Sequence, residues 1–255
     1  MARFKVGIQL QPQHTTMVDL REAWRAADAM GADSIWTWDH FYPLYGEPDG
    51  THFEGWVTLT TMAADTTSAK VGMLVTGNTY RNPELLADMA RTLDHVSDGR
   101  AYLGLGAGWF ERDYSEYGYE FGTAGSRLRE LEASLERIVA RLGKLNPAPV
   151  GGLPILIGGG GEKVTLRIVA RFADAWNTFG PPENFAHKNA VLDQWCADLG
   201  RDPAEIERTV GISGGEVDNV EAYLEAGATH LILMTGAEGP FDLTDLQRLI
   251  DLRDA

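Results

Sequence analysis

Cysteine is almost missing from this 255-residue chain, where Cys196 stands alone. One thiol excludes an intramolecular disulfide and suits a reducing compartment, so a cytoplasmic location is expected. Long apolar runs are missing too. No uninterrupted stretch approaches the roughly 20 residues that a membrane span requires. The sequence passes from Met1 almost directly into Phe4-Lys5-Val6-Gly7-Ile8, with no basic-then-apolar leader. Positive charge is scarce: 22 Lys and Arg face 37 Asp and Glu, a formal net charge of −15. That balance argues against nucleic acid or an anionic membrane as partner and leaves a small-molecule substrate. An anionic ligand must then be held by local donors, because the global field repels it. Several reactive motifs are absent as well. There is no Walker sequence and no Gly-x-Ser-x-Gly elbow, and His52, His95, His187 and His230 show no metal-ligand spacing. No metal is expected.

What is present is a rhythm. Short β-rich runs alternate with amphipathic helical stretches, eight of each. The strands are expected at 4–10, 34–38, 70–76, 101–105, 154–157, 173–179, 208–213 and 230–235. Most are near-continuous apolar runs, such as Ile155-Leu156-Ile157 and Leu231-Ile232-Leu233, the pattern of parallel strands buried on both faces. Helix signals lie between them. Asn82-Pro83-Glu84 supplies a cap, a proline for the first helical position and an acid at the positive dipole end. Leu128, Leu131, Leu135, Ile138 and Leu142 form one face of a helix over 124–142. Later helices fit 183–199, 218–226 and 243–252. Eight βα units without a low-complexity linker predict an α/β chain folded as a (β/α)8 TIM barrel, one domain over residues 1–255. The segments 41–53 and 109–125 read as short inserted loops at the C-terminal face, where barrels place their chemistry.

Three features there could carry chemistry. Asp39-His40 ends the second strand, and a His in that position is placed for proton transfer; a buried structural His is the competing reading. Gly158-Gly159-Gly160-Gly161 follows the fifth strand and opens onto a helix, where backbone N–H groups can meet an anion; a flexible turn is the alternative. Gly104-Leu105-Gly106-Ala107-Gly108 gives the neighbouring strand a second glycine-rich end, weak evidence by itself. Trp36, Trp38, Phe41, Tyr42, Trp56, Tyr80, Trp109 and Phe110 are expected around the same strand ends, suited to a flat heteroaromatic ring. Ordinary core packing is the better reading for Trp36 and Trp56 taken singly.

The run Arg81-Asn82-Pro83-Glu84-Leu85-Leu86-Ala87, continuing through Thr92-Leu93-Asp94-His95-Val96-Ser97-Asp98-Gly99-Arg100 to Leu103-Gly104-Leu105-Gly106-Ala107-Gly108-Trp109, resembles the luciferase-like monooxygenase superfamily. Ser34-Ile35-Trp36, Asp39-His40-Phe41 and the glycines before Glu162-Lys163 point to its deazaflavin branch. The resemblance covers nearly the whole chain. It implies a barrel that binds coenzyme F420 or, alternatively, FMN, and that moves a hydride to or from a small organic substrate. It also implies that Asp39 and His40 lie beside the ring, with His40 as proton donor or acceptor. A non-proline cis peptide near Leu74-Val75, with Thr76 close by, is implied behind the ring. The phosphate loops would be Gly106, Ala107 and Gly108, and the quartet Gly158 to Gly161. An FMN-dependent monooxygenase and a non-catalytic flavin- or deazaflavin-binding protein are the alternatives, and a homodimer is implied. Members acting on glucose 6-phosphate carry a Glu directly after the strand-four glycines, whereas this chain has Trp109. The sequence is also shorter than most relatives, which suggests reduced insertions.

Overall fold

The computed structural model describes residues 3–236 and 240–255. Apolar runs of six residues or fewer can be covered on both faces only where a parallel sheet has helices on one side and its own interior on the other. That is where they lie. The strands are β1 (Lys5–Leu10), β2 (Ser34–Thr37), β3 (Lys70–Met73), β4 (Thr76–Gly77), β5 (Ala101–Gly106), β6 (Ile155–Gly158), β7 (Ala175–Phe179), β8 (Glu207–Ile212) and β9 (His230–Thr235). All pair in parallel, in the order β3-β2-β1-β9-β8-β7-β6-β5-β4, and β3 also pairs with β5 through Val71↔Ala101 and Gly72↔Tyr102. This contact closes the sheet into a (β/α)8 barrel. β3 and β4 are two pieces of one stave, so the single strand expected at 70–76 is interrupted. The interruption falls at the Leu74-Val75 peptide, which is cis.

Nine α-helices flank the staves among the described residues: α1 (Met17–Met30), α2 (Gly55–Asp65), α3 (Pro83–Val96), α4 (Glu111–Tyr117), α5 (Ala124–Leu142), α6 (Thr165–Phe172), α7 (Pro182–Leu199), α8 (Val220–Glu225) and α9 (Thr244–Asp254). The ninth, relative to the eight expected, is α4, a seven-residue helix inside the inserted segment 109–125. Local chemistry sets the helix ends. Thr16 caps α1 by accepting from the Asp19 N–H, and Asn82 caps α3 by accepting from Leu85. Thr123 and Ser126 form a reciprocal capping box at α5, which satisfies backbone donors that the first turn leaves open.

The core has two parts. Outward-facing strand residues and the inner helix faces form the larger. Trp36, Leu74, Tyr102, Leu156, Ala175 and Ile232 fill the barrel interior. Trp36 is therefore a packing residue, stacked obliquely on Tyr102 at 5.2 Å, and Trp56 is buried in the outer core. Neither joins the aromatic group at the mouth, as the packing alternative had it.

Candidate functional site

At the C-terminal end of the staves lies a cavity of about 400 Å³, in the range of small-molecule sites. Asp39, His40, Leu74, Val75, Thr76, Gly106, Ala107, Gly108, Gly158 and Gly159 all line it. Gly160 and Gly161 stand outside its wall. The glycine quartet also differs from its expected form. Gly158 is the last residue of β6, the Gly159 N–H is already given to the Asn177 carbonyl at 2.9 Å, and α6 begins only at Thr165 after a turn. The quartet is thus a strand end and a loop rather than the first turn of a helix.

The glycines have a steric reason that the sequence did not disclose. Val75 projects between β5 and β6. A Cβ on Gly106 would come within 2.6 Å of Val75 Cγ2, and one on Gly158 within 3.0 Å of Cγ1. Side chains at either position would collide with the segment that interrupts the third stave. Gly108 has φ +83°, and a Cβ there would strike the Tyr114 hydroxyl.

Asp39 and His40 follow β2 but do not pair with each other. The Asp39 carboxylate is fully buried and accepts two hydrogen bonds from Arg81, at 2.5 and 2.9 Å, and a third from the Gly77 N–H at 3.1 Å. Burial pushes this carboxyl up to about 6, against the pull of the Arg81 charge and its hydrogen bonds. The pair is therefore ionised at neutral pH. Arg81 also reaches Glu54 at 3.0 Å.

His40 is held from the other side. Its Nδ1 lies 2.7 Å from Asp113 Oδ2 on α4. A carboxylate can only accept, so Nδ1 carries the hydrogen and Nε2 is the free ring atom. Asp113 itself is fully buried, and it accepts from the Phe41 N–H at 3.0 Å and the Tyr80 hydroxyl at 2.9 Å. Burial and this carboxylate raise the Tyr80 phenol far above its ordinary value, so it stays a donor. A His fixed by a buried, fully satisfied carboxylate at the edge of a cavity is arranged to take up or release a proton at Nε2. Three aromatic rings meet the imidazole edge to face: Trp38 at 5.7 Å, Trp109 at 5.7 Å and Phe110 at 5.5 Å.

Two buried polar atoms in the wall have no partner among the described residues, Gln9 Oε1 and Thr76 Oγ1. Gln9 is anchored through its other end, since Nε2 donates to the Leu74 carbonyl at 2.7 Å. A buried acceptor and a buried hydroxyl left open in the lining suit a ligand with donors and acceptors along one edge. A planar flavin or deazaflavin ring has such an edge, so the residues fit it.

Sequence reasoning missed Asp113, Tyr80 as a donor, Gln9, and Arg81 as the partner of Asp39. Arg81 was at least visible, as the residue before a helix cap just past the third stave. Asp113 offered only its place among several acids in an aromatic-rich insertion.

A family model described as luciferase-like monooxygenase matches residues 1–232. Among curated relatives, a phthiodiolone/phenolphthiodiolone dimycocerosates ketoreductase of Mycobacterium tuberculosis is 29% identical over 246 residues, 81% of this chain and 64% of that protein. The chain thus spans somewhat under two thirds of that relative's length. Among solved structures, an F420-dependent secondary alcohol dehydrogenase in complex with an F420-acetone adduct superposes with a TM-score of 0.85 at 16% identity, over 98% of each chain. An F420-dependent tetrahydromethanopterin reductase from Methanopyrus kandleri gives 0.79 at 16% identity, over 99% of this chain and 98% of that one. The FMN-bound oxygenating component of a Pseudomonas putida 3,6-diketocamphane monooxygenase gives 0.67 at 16% identity, over 84% and 67%.

Proposed function

The chain belongs to the luciferase-like monooxygenase family, and from that premise we propose that it is a coenzyme F420-dependent oxidoreductase acting on a small organic substrate within one domain, residues 1–255. The observation that carries this reading is the His40–Asp113 pair at 2.7 Å, facing a cavity whose wall keeps Gln9 Oε1 and Thr76 Oγ1 open. Proton transfer beside a planar redox ring is what carbonyl–alcohol interconversion needs. The alcohol dehydrogenase and ketoreductase relatives support the same choice.

When bound, the deazaflavin supplies or receives a hydride. Every other part belongs to the protein. Gln9 and Thr76 would hold the polar edge of the ring and Leu74 and Val75 would back it, while Gly106, Ala107 and Gly108, with the loop Gly158 to Gly161, would take the phosphate. Arg81 neutralises Asp39, so that the buried carboxylate does not repel an anionic cofactor. His40 Nε2 gives a proton to the substrate oxygen in reduction and takes it back in oxidation. Asp113 acts through His40, fixing its tautomer and plane. The proposal includes a cytoplasmic homodimer, for which the exposed Val57 on α2 and Leu85 on α3 offer apolar surface.

Separate fluorescence titrations of the purified protein with F420 and with FMN test the reading. Micromolar or tighter binding of F420, with turnover, supports it. Tight binding of FMN alone favours the monooxygenase alternative, and F420 binding without turnover on any carbonyl or alcohol favours the binding protein.

A further inference from the structure

The cavity wall contains no lysine or arginine among the described residues. Its ionisable members are Asp39, already neutralised by Arg81, His40, and the phenols of Tyr45 and Tyr80. Three of the cations nearby are committed elsewhere. Arg112 stacks on Tyr42 at 3.9 Å and is bonded to Asp49 and the Pro48 carbonyl. Arg127 is given to the Gly108 and Phe121 carbonyls, and Lys188 to Glu162. A phosphate or carboxylate on the substrate would therefore have no lysine or arginine beside it in the wall, in a protein of net charge −15. Taking an anion out of water without such a partner is strongly unfavourable.

The surface that surrounds His40 is instead aromatic. Trp38 and Trp109 meet the imidazole edge to face, and Tyr45 lies against Trp38 at 6.4 Å. Three of the lining residues are large and apolar yet open to solvent: Tyr45 is 65%, Trp109 63% and Phe179 57% exposed. Such faces, grouped at the mouth of a cavity, mark where a ligand is covered.

Resting on the F420 reading, we infer that the substrate is an uncharged carbonyl compound, or the corresponding alcohol, with an aromatic or bulky apolar substituent that packs between Trp109, Tyr45 and Phe179. In reduction the carbonyl carbon receives a hydride from the reduced deazaflavin, and the C=O π bond opens. The oxygen takes the proton from His40 Nε2, and the deazaflavin is left oxidised. Trp109, exposed in the wall and edge to face with His40, selects for an apolar group rather than a polar one.

The test measures binding without turnover. Protein saturated with oxidised F420 cannot reduce a ketone, so ketone affinity is read by calorimetry on a dead-end complex. Acetophenone, 4-carboxyacetophenone and acetone separate charge from apolar bulk. Acetophenone is expected to bind at least tenfold more tightly than either of the others. Trp109→Ala is expected to weaken acetophenone about tenfold and acetone little, and Trp109→Phe to restore most of the loss. Equal or tighter binding of the carboxylate, or an equal loss for both ketones in Trp109→Ala, overturns the inference while the F420 reading stands. Failure of F420 to bind overturns the functional reading, and the inference with it.

Discussion

The two ends of the barrel each hold a histidine beside a carboxylate, and only one of them is open. At the C-terminal end, His40 Nδ1 meets Asp113 while the ring lines a cavity. At the N-terminal end, His230 Nε2 meets Ser34 Oγ at 2.8 Å and its Nδ1 lies 3.4 Å from Glu207. Ser34, His and Glu in a row look like a nucleophilic triad. Ser34 is fully buried, however, its oxygen also receives the Trp36 indole N–H at 2.7 Å, and His230 is 1% exposed. Glu207 is tied further to Lys5 at 2.7 Å and to the Tyr102 hydroxyl at 2.9 Å. Ser34 and His230 are out of a substrate's reach, and only Glu207, Lys5 and Tyr102 border a surface cavity at this end. Residue types therefore do not distinguish chemistry from scaffolding here; access does, as expected of a fold that reacts at one face and is stabilised at the other.

A second carboxylate at the open end, Asp39, differs from Glu207 in the same sense. Burial raises Asp39 to about 6, whereas Glu207, despite its burial, is held down to about 2 by His230 and Lys5. One site keeps a carboxylate that titrates close to working pH; the other locks its carboxylate into an ion-pair plug.

Exchanging the two histidines for alanine sharpens the contrast most. His40→Ala should lower turnover by roughly 10²–10⁴ if Nε2 is the proton donor, with a melting temperature close to that of the parent. His230→Ala should do the opposite, costing about 2–4 kcal/mol in denaturant melts and leaving turnover of the folded fraction unchanged. A large activity loss in His230→Ala, or none in His40→Ala, would break the comparison. Asp113→Asn comes next. It keeps the shape but permits the wrong His40 tautomer, so kcat should fall on the order of 10²-fold with KM little changed, and the pH profile should move with it.

Acid stability probes the closed end. Because the folded Glu207 lies below its ordinary value of 4.5, its contribution is complete above pH 4.5 and is lost as pH falls towards 2. The shift corresponds to at most about 3–4 kcal/mol. Glu207→Gln should flatten the acid limb of the stability curve in that window, and an unchanged limb would place the acid sensitivity elsewhere. The smallest effect is expected from Tyr102→Phe, which removes one hydrogen bond to Glu207 and should cost about 1–2 kcal/mol without touching turnover.

Strand positions were legible because a parallel barrel stave must be apolar on both faces, a property of a few adjacent residues. The stave ends fell within about two residues of expectation for that reason. His40 was legible through its place just past such a stave. Asp113 was not, since 73 residues separate it from His40 and its helix lies in an insertion with no periodic signal. The signature from Arg81 to Trp109 turns out to be largely scaffolding. Asn82 caps α3, Asp94 accepts the Val150 and Gly151 N–H groups, and Arg100 binds three backbone carbonyls and Thr66 Oγ1. Only its last residues, Gly106, Ala107, Gly108 and Trp109, line the cavity, while its first, Arg81, stands behind the wall and bonds Asp39. The quartet at 158–161 departs from its expected form in one respect, since α6 begins only at Thr165, and Gly158 is small because Val75 needs the room.

The most direct measurement is a crystal structure with F420 bound. The expected map has the ring edge within hydrogen-bond distance of Gln9 Oε1 and Thr76 Oγ1, with His40 Nε2 facing the reactive carbon. A ring seated away from residues 39–40, with those two atoms still open, would contradict it.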